Sequence, residues 1–331
     1  MVTINDNITD KGIELVTPFG KREITHVFHD IDGTHSLIRE WQPVMSLVLC
    51  YAITYGLPEN FDSDENIQKL IGRVGELRSD ETDSFCIESA GLSALTQMEW
   101  AIRRAVQEDS INAGLTESES EVNARIIKDI WGGKEIFDDE NEPKAFLNYL
   151  SEMTPRLFKM YEKILNGACR DRNLKIALQN PDKMRVKGSY EFVKFLNGMG
   201  LKNYLVTGAV ISYDENGKPF GGMYEEITSL GFKIEPNGDF ESIEGSTWDN
   251  KIPKNEVMQR LCEKLRINPE KVLVIGDGRS EIEAGKKMNA VTISILPKDA
   301  ERQREIHKAL KTNIIISDYT AGGLTEMFAK N

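Results

Sequence analysis

The second half of the sequence alternates short apolar runs with amphipathic segments, and this alternation restricts the possible folds more than any other feature. The apolar runs are NYLVTG, KVLVIGDG, VTISIL and NIIIS, at 203–208, 271–278, 291–296 and 313–317. Such runs are typical of strands that are buried on both faces of a parallel sheet. Segments 189–200 and 255–266 place their apolar residues on one helical face. The pattern predicts an α/β fold with a doubly wound parallel sheet and right-handed crossovers.

One further strand is predicted far upstream, at 24–32 (ITHVFHDID). The sequence between this strand and the next has helical spacing and no convincing strand. We therefore predict a sheet domain formed by 1–35 and 184–331, with a large α-helical domain at 36–183 inserted after the first core strand. Asn216-Gly217, within 210–223 (VISYDENGKPFGGM), predicts a β-hairpin insertion.

Charge and composition exclude several classes of function. The net charge of −12 argues against binding of nucleic acid through its phosphates, but permits a small anionic ligand. The four cysteines are scattered, which disfavours a zinc site or a disulfide framework. The most apolar segment, 44–57, is too short to span a bilayer, and the N-terminus lacks the pattern of a signal peptide. We expect a cytoplasmic protein without a membrane partner; the oligomeric state is left open.

Polar side chains stand where the predicted strands end. Asp30 and Asp32 follow the first strand, Thr207 ends the second, and Asp277 ends the strand at 271–278. The carboxyl ends of parallel strands meet at one edge of a sheet, where ligands bind. Carboxylates held together repel each other unless a cation neutralises them. Oxygen ligands suit Mg²⁺, and Lys254 could offset further negative charge.

These motifs, in this order, resemble the haloacid dehalogenase superfamily of phosphohydrolases, and most of all its phosphoglycolate-phosphatase-like branch with a large helical cap. The first motif is DIDGT at 30–34, and the second is TG at 207–208. The third is a lysine that precedes a helix, and the fourth is GDGRSE at 276–281. The resemblance covers the predicted sheet domain, which would be the Rossmann-like catalytic core of such an enzyme.

The resemblance implies roles for three carboxylates. Asp30 would be the nucleophile that forms an aspartyl-phosphate. Asp32 would be the general acid and base, which protonates the leaving oxygen and then activates water. The cofactor would be Mg²⁺, held by Asp30, Asp277 and the main-chain carbonyl of Asp32.

The resemblance also implies a set of phosphate ligands. Thr207 and Gly208 would bind the phosphoryl oxygens, together with a lysine. Lys254 is favoured as that lysine because it precedes the predicted helix, whereas Lys251 is the alternative that other branches of the superfamily would suggest. Glu281 stands where an aspartate is more familiar. It is a weaker metal ligand candidate, because an acid in the first turn of a helix is also favoured by the helix dipole.

The predicted function is that of a Mg²⁺-dependent phosphatase that hydrolyses a small phosphorylated metabolite through an aspartyl-phosphate intermediate. The domain at 36–183 would act as a cap that restricts access to the site. Arg73, in the segment KLIGRVGEL, could contact the substrate, although a solvated surface arginine is the simpler interpretation. Two alternatives remain: a phosphomutase that acts on a sugar phosphate, and a non-catalytic binding protein built on the same core.

Overall fold

The computed structural model describes residues 2–7, 12–137, 141–247 and 252–330. The chain divides into two compact units, one formed by Met1–Ile38 with Asn173–Asn331 and the other by Arg39–Arg172. The boundaries expected from the sequence were 35/36 and 183/184. The assignment of these units as a catalytic core and a cap stays a prediction.

The first unit is built on a mostly parallel sheet. Its described strands are β1 (Val2–Ile4), β2 (Ile13–Leu15), β3 (Arg22–Ile24), β4 (His26–His29), β5 (Lys202–Val210), β6 (Ser212–Tyr213), β7 (Pro219–Phe220), β8 (Ile243–Ser246), β9 (Val272–Gly276), β10 (Val291–Ile295), β11 (Ile314–Ile316) and β12 (Phe328–Lys330). The main sheet has the order β2-β11-β10-β9-β4-β5-β8, and β2 alone among these strands is antiparallel to its neighbour. From β4 the chain adds β5 and β8 on one side and β9, β10 and β11 on the other. The order therefore reverses between β4 and β9.

Helices cover both faces of this sheet, as the sequence predicts for a doubly wound fold. The helices of the first unit that follow α7 (Asp171–Gln179) are α8 (Ser189–Met199), α9 (Gly222–Ser229), α10 (Lys254–Leu265), α11 (Arg279–Lys287) and α12 (Glu301–Ala309). Val27 and Phe28 of β4 are both fully buried, but on opposite faces. Val27 belongs to the apolar cluster that contains Leu196 of α8, and Phe28 to the cluster that contains Met258 of α10. The apolar run of β4 is continuous because neither of its faces meets water.

The prediction of a single strand at 24–32 is wrong, because two strands, β3 and β4, meet in this segment. The chain leaves regular strand geometry at Thr25, between β3 and β4. β3 pairs with β1, which also pairs with β12, in a separate antiparallel sheet. β4 pairs with β5 and β9 in the main sheet. The two halves are separated because their pairing partners lie far away in sequence, and local hydrophobicity does not report those partners.

The predicted hairpin and the predicted helical region are confirmed. β6 and β7 pair in antiparallel fashion, with Gly217 in the connecting turn at φ +74°. The described residues of the second unit form helices and turns. Its helices are α1 (Trp41–Tyr55), α2 (Asp64–Ile71), α3 (Asp80–Glu88), α4 (Ala94–Gln107), α5 (Glu117–Trp131) and α6 (Lys144–Leu165), followed by a π-helical turn (Asn166–Arg170) and by α7 (Asp171–Gln179), which contains the unit boundary. Among the helices described, none has the length and hydropathy needed to cross a membrane.

Candidate active site

Asp30 lies at the point where the strand order of the main sheet reverses. It directly follows β4, and its main-chain N–H donates a hydrogen bond to the carbonyl of Ile275 in β9, at 2.9 Å. In open α/β sheets, ligands bind in the crevice at the carboxyl ends of the strands at this reversal. The Asp30 side chain is only 7% exposed, so the fold holds a carboxyl group at this edge of the sheet with little access to water.

Lys254 connects two of the buried acids. It is the first residue of α10 and is 2% exposed. Its Nζ donates to Oδ1 of Asp30 at 2.7 Å and to Oε2 of Glu281 at 2.8 Å. An ammonium group has three donors, so one donor remains beyond these two bonds. The lysine therefore joins the strand that carries Asp30 to the helix that carries Glu281.

Glu281 is fully buried in the first turn of α11. Its Oε1 accepts a hydrogen bond from the main-chain N–H of Gly278, in the manner of a capping box, and its Oε2 accepts from Lys254. A Cβ atom at Gly276 would lie 2.3 Å from Oε1 of Glu281, so a glycine is required there. The glutamate thus serves as a helix cap and as the partner of a buried cation.

The pKa values of these three groups reflect burial and pairing together. Burial raises the pKa of Asp30 to about 6, although Lys254 acts in the opposite direction. Burial alone would raise the pKa of Glu281, but the charge and hydrogen bond of Lys254 bring it below its usual value. Burial would lower the pKa of Lys254, but the two carboxylates raise it. Lys254 is therefore charged at neutral pH, and Glu281 is its ionised partner.

Asp277 accepts no hydrogen bond from a lysine or arginine among the residues that the structure describes. It follows β9, is partly exposed, and accepts a hydrogen bond from Oγ1 of Thr34 at 3.3 Å. Desolvation raises its pKa well above the usual value, and the negative charges of Asp30, Glu281 and Asp32 add to the increase. The local field therefore favours either a proton or another cation beside Asp277.

The chemistry of the donor set fits a divalent metal ion. Asp30, Asp277 and Glu281 each offer one carboxylate oxygen, and these oxygens all lie within 4.8 Å of one another. Hard oxygen ligands of this kind are those that Mg²⁺ prefers. Lys254 supplies one positive charge against three acids, and the remaining repulsion between the carboxylates contributes to the raised pKa of Asp277. The cluster thus has both the ligand type and the uncompensated charge of a cation site.

The loop after Asp30 places Asp32 and Gly33 beside the same cluster. Asp32 is partly exposed and forms an isolated β-bridge with Ser36. Its negative charge contributes to the raised pKa of Asp277. Gly33 adopts φ +71°, a conformation that glycine tolerates best, and this allows a sharp exit from the strand.

Thr207 and Gly208 lie on the strand next to β4. The register pairs His29 with Leu205, so Thr207 is two residues beyond that pair, at the edge that carries Asp30. Both residues are buried, and Oγ1 of Thr207 accepts a hydrogen bond from the N–H of Ala209 at 3.1 Å. β5 continues to Val210, so Thr207 stands within the strand and not at its last residue.

Two of the three weaker sequence candidates, Lys251 and Arg73, stay predictions. Lys251 lies outside the described residues. Arg73 is exposed in the turn that follows α2, and its main-chain N–H donates to the carbonyl of Leu70. Arg73 belongs to the second unit.

His307 is a neighbour of the site that sequence reasoning missed. It is the buried residue of α12, whose other residues are half-buried or exposed, and its Nδ1 lies 2.8 Å from Oγ of Ser294. Burial lowers its pKa to about 4, against the charge of Glu281 and a hydrogen bond to the main chain of Asp277. A single histidine in a polar helix carries no periodic signal, so the sequence could not have indicated it.

The family comparison agrees with the superfamily that the motifs resemble. The family model of the haloacid dehalogenase-like hydrolases matches residues 115–289, which is just over half of the chain. The matched segment contains Thr207, Lys254 and Asp277, and it begins after Asp30 and Asp32. A search of the curated proteins found no match.

Solved structures similar to this chain include three bacterial proteins. One is described as a predicted phosphatase from Clostridium acetobutylicum (14% identity, 92% of this chain and 97% of that chain, TM-score 0.49). The others are a hydrolase from Pseudomonas syringae (14% identity, 92% and 100%, TM-score 0.45) and β-phosphoglucomutase from Clostridium difficile (11% identity, 89% and 92%, TM-score 0.45). The extent of the family match decides the classification. The chain belongs to the haloacid dehalogenase-like hydrolases.

Proposed function

We propose that the protein is a Mg²⁺-dependent phosphatase that hydrolyses a small phosphomonoester through an aspartyl-phosphate. The observation that carries the proposal is the position of Asp30. Its carboxyl group stands at the reversal of the strand order, hydrogen-bonded to Lys254 and within a cluster of carboxylates. A nucleophile fixed beside one cation, with little access to water, suits phosphoryl transfer, which depends mostly on positioning and charge stabilisation.

In the first step, a carboxylate oxygen of Asp30 attacks phosphorus and forms the acyl phosphate. The bond from phosphorus to the leaving oxygen breaks, and Asp32 gives its proton to that oxygen, so the alcohol departs neutral. Lys254 would keep Asp30 oriented through the 2.7 Å hydrogen bond and offer its remaining donor to a phosphoryl oxygen. Thr207 and Gly208, on the adjacent strand, are proposed to contact the other phosphoryl oxygens.

In the second step, Asp32 is a carboxylate and accepts a proton from water as the water oxygen attacks phosphorus. The bond from phosphorus to the Asp30 oxygen breaks, which releases inorganic phosphate and restores the free carboxylate. Asp32 ends protonated, ready for the next substrate. Each turnover therefore consumes one water and returns both aspartates to their starting states.

Mg²⁺ would be held by Asp30, Asp277 and the main-chain carbonyl of Asp32. When bound, it supplies positive charge that stabilises the negative charge on the phosphoryl group. Glu281 also offers an oxygen to this cluster, but its hydrogen bonds from Gly278 and Lys254 favour a different task. We propose that Glu281 orients Lys254.

The test is phosphate release from a panel of phosphorylated metabolites and an aryl phosphate, with Mg²⁺ or with chelator. We expect Mg²⁺-dependent release, and we expect Asp30→Asn to abolish it because an amide cannot attack phosphorus. Asp318→Asn is the matched control, since Asp318 follows β11 at the same edge of the sheet. Full activity after chelation would overturn the metal assignment. Isomerisation of a sugar phosphate without phosphate release would establish the mutase alternative.

The second unit is proposed to select the substrate. Arg73 is the residue of that unit that we propose contacts the part of the substrate remote from the phosphate. Arg73→Ala should then impair hydrolysis of the best metabolite and spare a generic aryl phosphate. Equal effects on both substrates, or none, would leave Arg73 as a solvated surface arginine.

A further inference from the structure

Two fully buried histidines stand at the two ends of the loop that carries the catalytic aspartates. His29 immediately precedes Asp30, and His35 comes three residues after Asp32. Nε2 of His35 lies 3.0 Å from Nδ1 of His29. A side-chain hydrogen bond therefore closes the segment that contains both aspartates.

The hydrogen bonds continue from His29 through two asparagines. Nε2 of His29 lies 3.0 Å from Oδ1 of Asn203 in β5. Nδ2 of Asn203 lies 2.9 Å from Oδ1 of Asn197 in α8. Nδ2 of Asn197 is 3.3 Å from the main-chain carbonyl of Asp239. These four side chains form a chain, here termed the histidine–asparagine chain, whose members are Asn197, Asn203, His29 and His35.

The carbonyl of Asp239 sets the direction of every bond in this chain, because a carbonyl oxygen can only accept. Asn197 must therefore present its NH₂ group to the carbonyl and its oxygen to Asn203. Asn203 must in turn present its NH₂ group to Asn197 and its oxygen to His29. That oxygen requires a proton on Nε2 of His29.

The same reasoning fixes the position of the proton on the second imidazole, that of His35. The ring of His29 is fully buried between an amide oxygen and another imidazole, where a charge would have no partner, so it carries one proton, on Nε2, and a lone pair on Nδ1. His35 must donate to that lone pair from its own Nε2. Burial, with His29 alongside, also holds the pKa of His35 well below its usual value, so its Nδ1 is a bare lone pair.

An independent observation supports this tautomer. Within the described residues, Nδ1 of His35 is buried and has no hydrogen-bond partner. A buried N–H without a partner is rare in proteins, whereas an unused acceptor costs less. The derived arrangement leaves an acceptor unused and gives every donor group of the chain a partner, so the chain ends where the cost is smallest.

The main chain of His35 belongs to the same loop. Its N–H donates to the carbonyl of Ile31 at 2.8 Å, and the N–H of Ser36 donates to that carbonyl at 3.0 Å. The N–H of Gly33 donates to the carbonyl of Ser36 at 2.9 Å. The carbonyl of His35 accepts from Val186 at 3.0 Å. A movement of His35 would therefore displace the turn that contains Asp32.

Aromatic rings hold the imidazole of His35 in place. Its ring stacks on Tyr319, with centroids 5.5 Å apart and an angle of 13° between the planes. Phe232 and Phe240 meet it edge to face. The ring has little freedom to turn, so packing orients Nε2 independently of the hydrogen bond to His29.

We infer that His35 is a positioning residue, which donates from Nε2 to His29 and thereby clamps the loop that holds Asp30 and Asp32 in register for attack. The inference rests on the proposed phosphatase function for its effect on turnover. The geometry of the clamp itself does not depend on that function. Neither imidazole touches the substrate or changes charge in this role.

The first test reads the tautomers by long-range ¹H–¹⁵N correlation spectra of labelled protein, which contains four histidines. His29 and His35 should both show the Nε2–H form, assigned by the signals lost in His35→Gln. An Nδ1–H form of either ring would overturn the inference. This readout needs no substrate, so it stands even if phosphatase activity is not found.

The second test compares two replacements of the same side chain. The amide of His35→Gln can place a donor where Nε2 stood, whereas His35→Leu cannot. We expect His35→Leu to lower kcat at least tenfold with less than a twofold change in KM, and His35→Gln to retain kcat within threefold. His26→Leu is the control, because His26 lies in β4 with His29 and its side chain hydrogen-bonds only to its neighbour Thr25 among the side chains described. Equal kcat for the leucine variant and the wild type, or equal losses for both variants, would overturn the inference.

Amide hydrogen exchange separates a positioning role from a wrong function and from misfolding. The amides of Gly33, His35 and Ser36 should exchange at least tenfold faster in His35→Leu, while the amides of β9 stay protected. In His35→Gln they should exchange at the wild-type rate. Unchanged exchange of these three amides in the leucine variant would overturn the clamp whatever the enzyme hydrolyses.

Discussion

Gly33 approaches Asp277 so closely that any side chain at position 33 would occupy the place of the carboxylate. A Cβ built on Gly33 would lie 2.1 Å from Oδ2 of Asp277, and Gly33 also has φ +71°. The loop after the first aspartate and the loop after β9 are thus in direct contact. The glycine of the first motif is required by a partner that is more than 240 residues away in the sequence.

Gly33→Ala should therefore displace the carboxylate of Asp277 and strain the loop. We expect phosphate release to fall by at least a hundredfold, and the Mg²⁺ concentration for half-maximal activity to rise. Gly20→Ala is the matched control, because Gly20 has φ +67° but no atom within 4 Å of a Cβ built there. The control carries the same backbone strain, about 1 kcal/mol or more, without the collision. Equal losses of activity in both variants would show that backbone strain, and not contact with Asp277, is the cause.

Replacement of Lys254 should reduce both stability and turnover. Lys254→Met leaves Asp30 and Glu281 buried without their common cation, and removal of one partner from a buried ion pair typically costs about 3–5 kcal/mol. Turnover should fall by about 10²–10³, by analogy with the loss of one donor to a developing charge. Lys251→Ala should have a much smaller effect on turnover. If Lys251 proves to be the damaging position, the phosphate lysine has been assigned to the wrong residue.

A double-mutant cycle measures the interaction between Lys254 and one of its two partners, Glu281. Glu281→Gln keeps the shape of the side chain and removes its charge. If Glu281 pairs with the lysine, the double variant Lys254→Met/Glu281→Gln should be more stable to denaturant than Lys254→Met alone, because one of the two uncompensated charges is gone. Additive losses of unfolding free energy would show that Glu281 and Lys254 do not act as a pair.

The ionised carboxylate of Asp277 should lower the stability of the folded protein when no metal is bound. Its raised pKa means that the ionised carboxylate is disfavoured in the folded state. Asp277→Asn should therefore raise the melting temperature in chelator at pH 8 by a few degrees, since about 1 kcal/mol corresponds to ~2–4 °C in a unit of this size. Mg²⁺ should raise the melting temperature of the wild type and not that of the variant. A variant that melts lower than the wild type in chelator would contradict this account.

The same pKa shift gives the pH dependence of that difference. The folded-state pKa lies above the unfolded value of about 3.9. The destabilisation is complete above the folded-state pKa, and it disappears as the pH falls toward the unfolded value. The advantage of Asp277→Asn should thus be greatest at alkaline pH and shrink on acidification. Melting curves of both proteins in chelator across this range would show whether the difference has this sign.

The sequence predicted that Asp30 and Asp277 lie close together, because this follows from a general rule of parallel sheets. Each follows an apolar run, and the carboxyl ends of parallel strands share one edge. The rule says nothing about side-chain partners, so it did not reveal that Lys254 joins Asp30 to Glu281. Those bonds depend on where α10 and α11 begin relative to β4 and β9, which is a matter of packing.

Other elements could not be predicted because their determinants are distant in sequence. β8 has one large apolar residue, Ile243, and forms a strand because β5 offers it an edge. The strand predicted at 24–32 breaks at Thr25 because β3 and β4 join different sheets. The histidine–asparagine chain joins residues more than 160 positions apart, so no local pattern could indicate it.

Asp32 provides the sharpest test of mechanism. Asp32→Asn leaves Asp30 in place, and it leaves the main-chain carbonyl that we propose as a metal ligand. What is lost is proton transfer, which typically contributes about 10²–10⁴-fold. An aryl phosphate has a good leaving group that needs little protonation, so the first step should be slowed less than with an alkyl phosphate.

The second step of Asp32→Asn should remain slow with either substrate, because water still needs a base. Hydrolysis of alkyl phosphates should therefore fall steeply, whereas with an aryl phosphate a phosphorylated enzyme should accumulate and be visible by intact mass spectrometry. Asp30→Asn is the control, since it should show no such adduct. Equal losses with both leaving groups, with no adduct at Asp30, would remove Asp32 from its role as general acid and base, because a residue that only supports the fold cannot distinguish one leaving group from another.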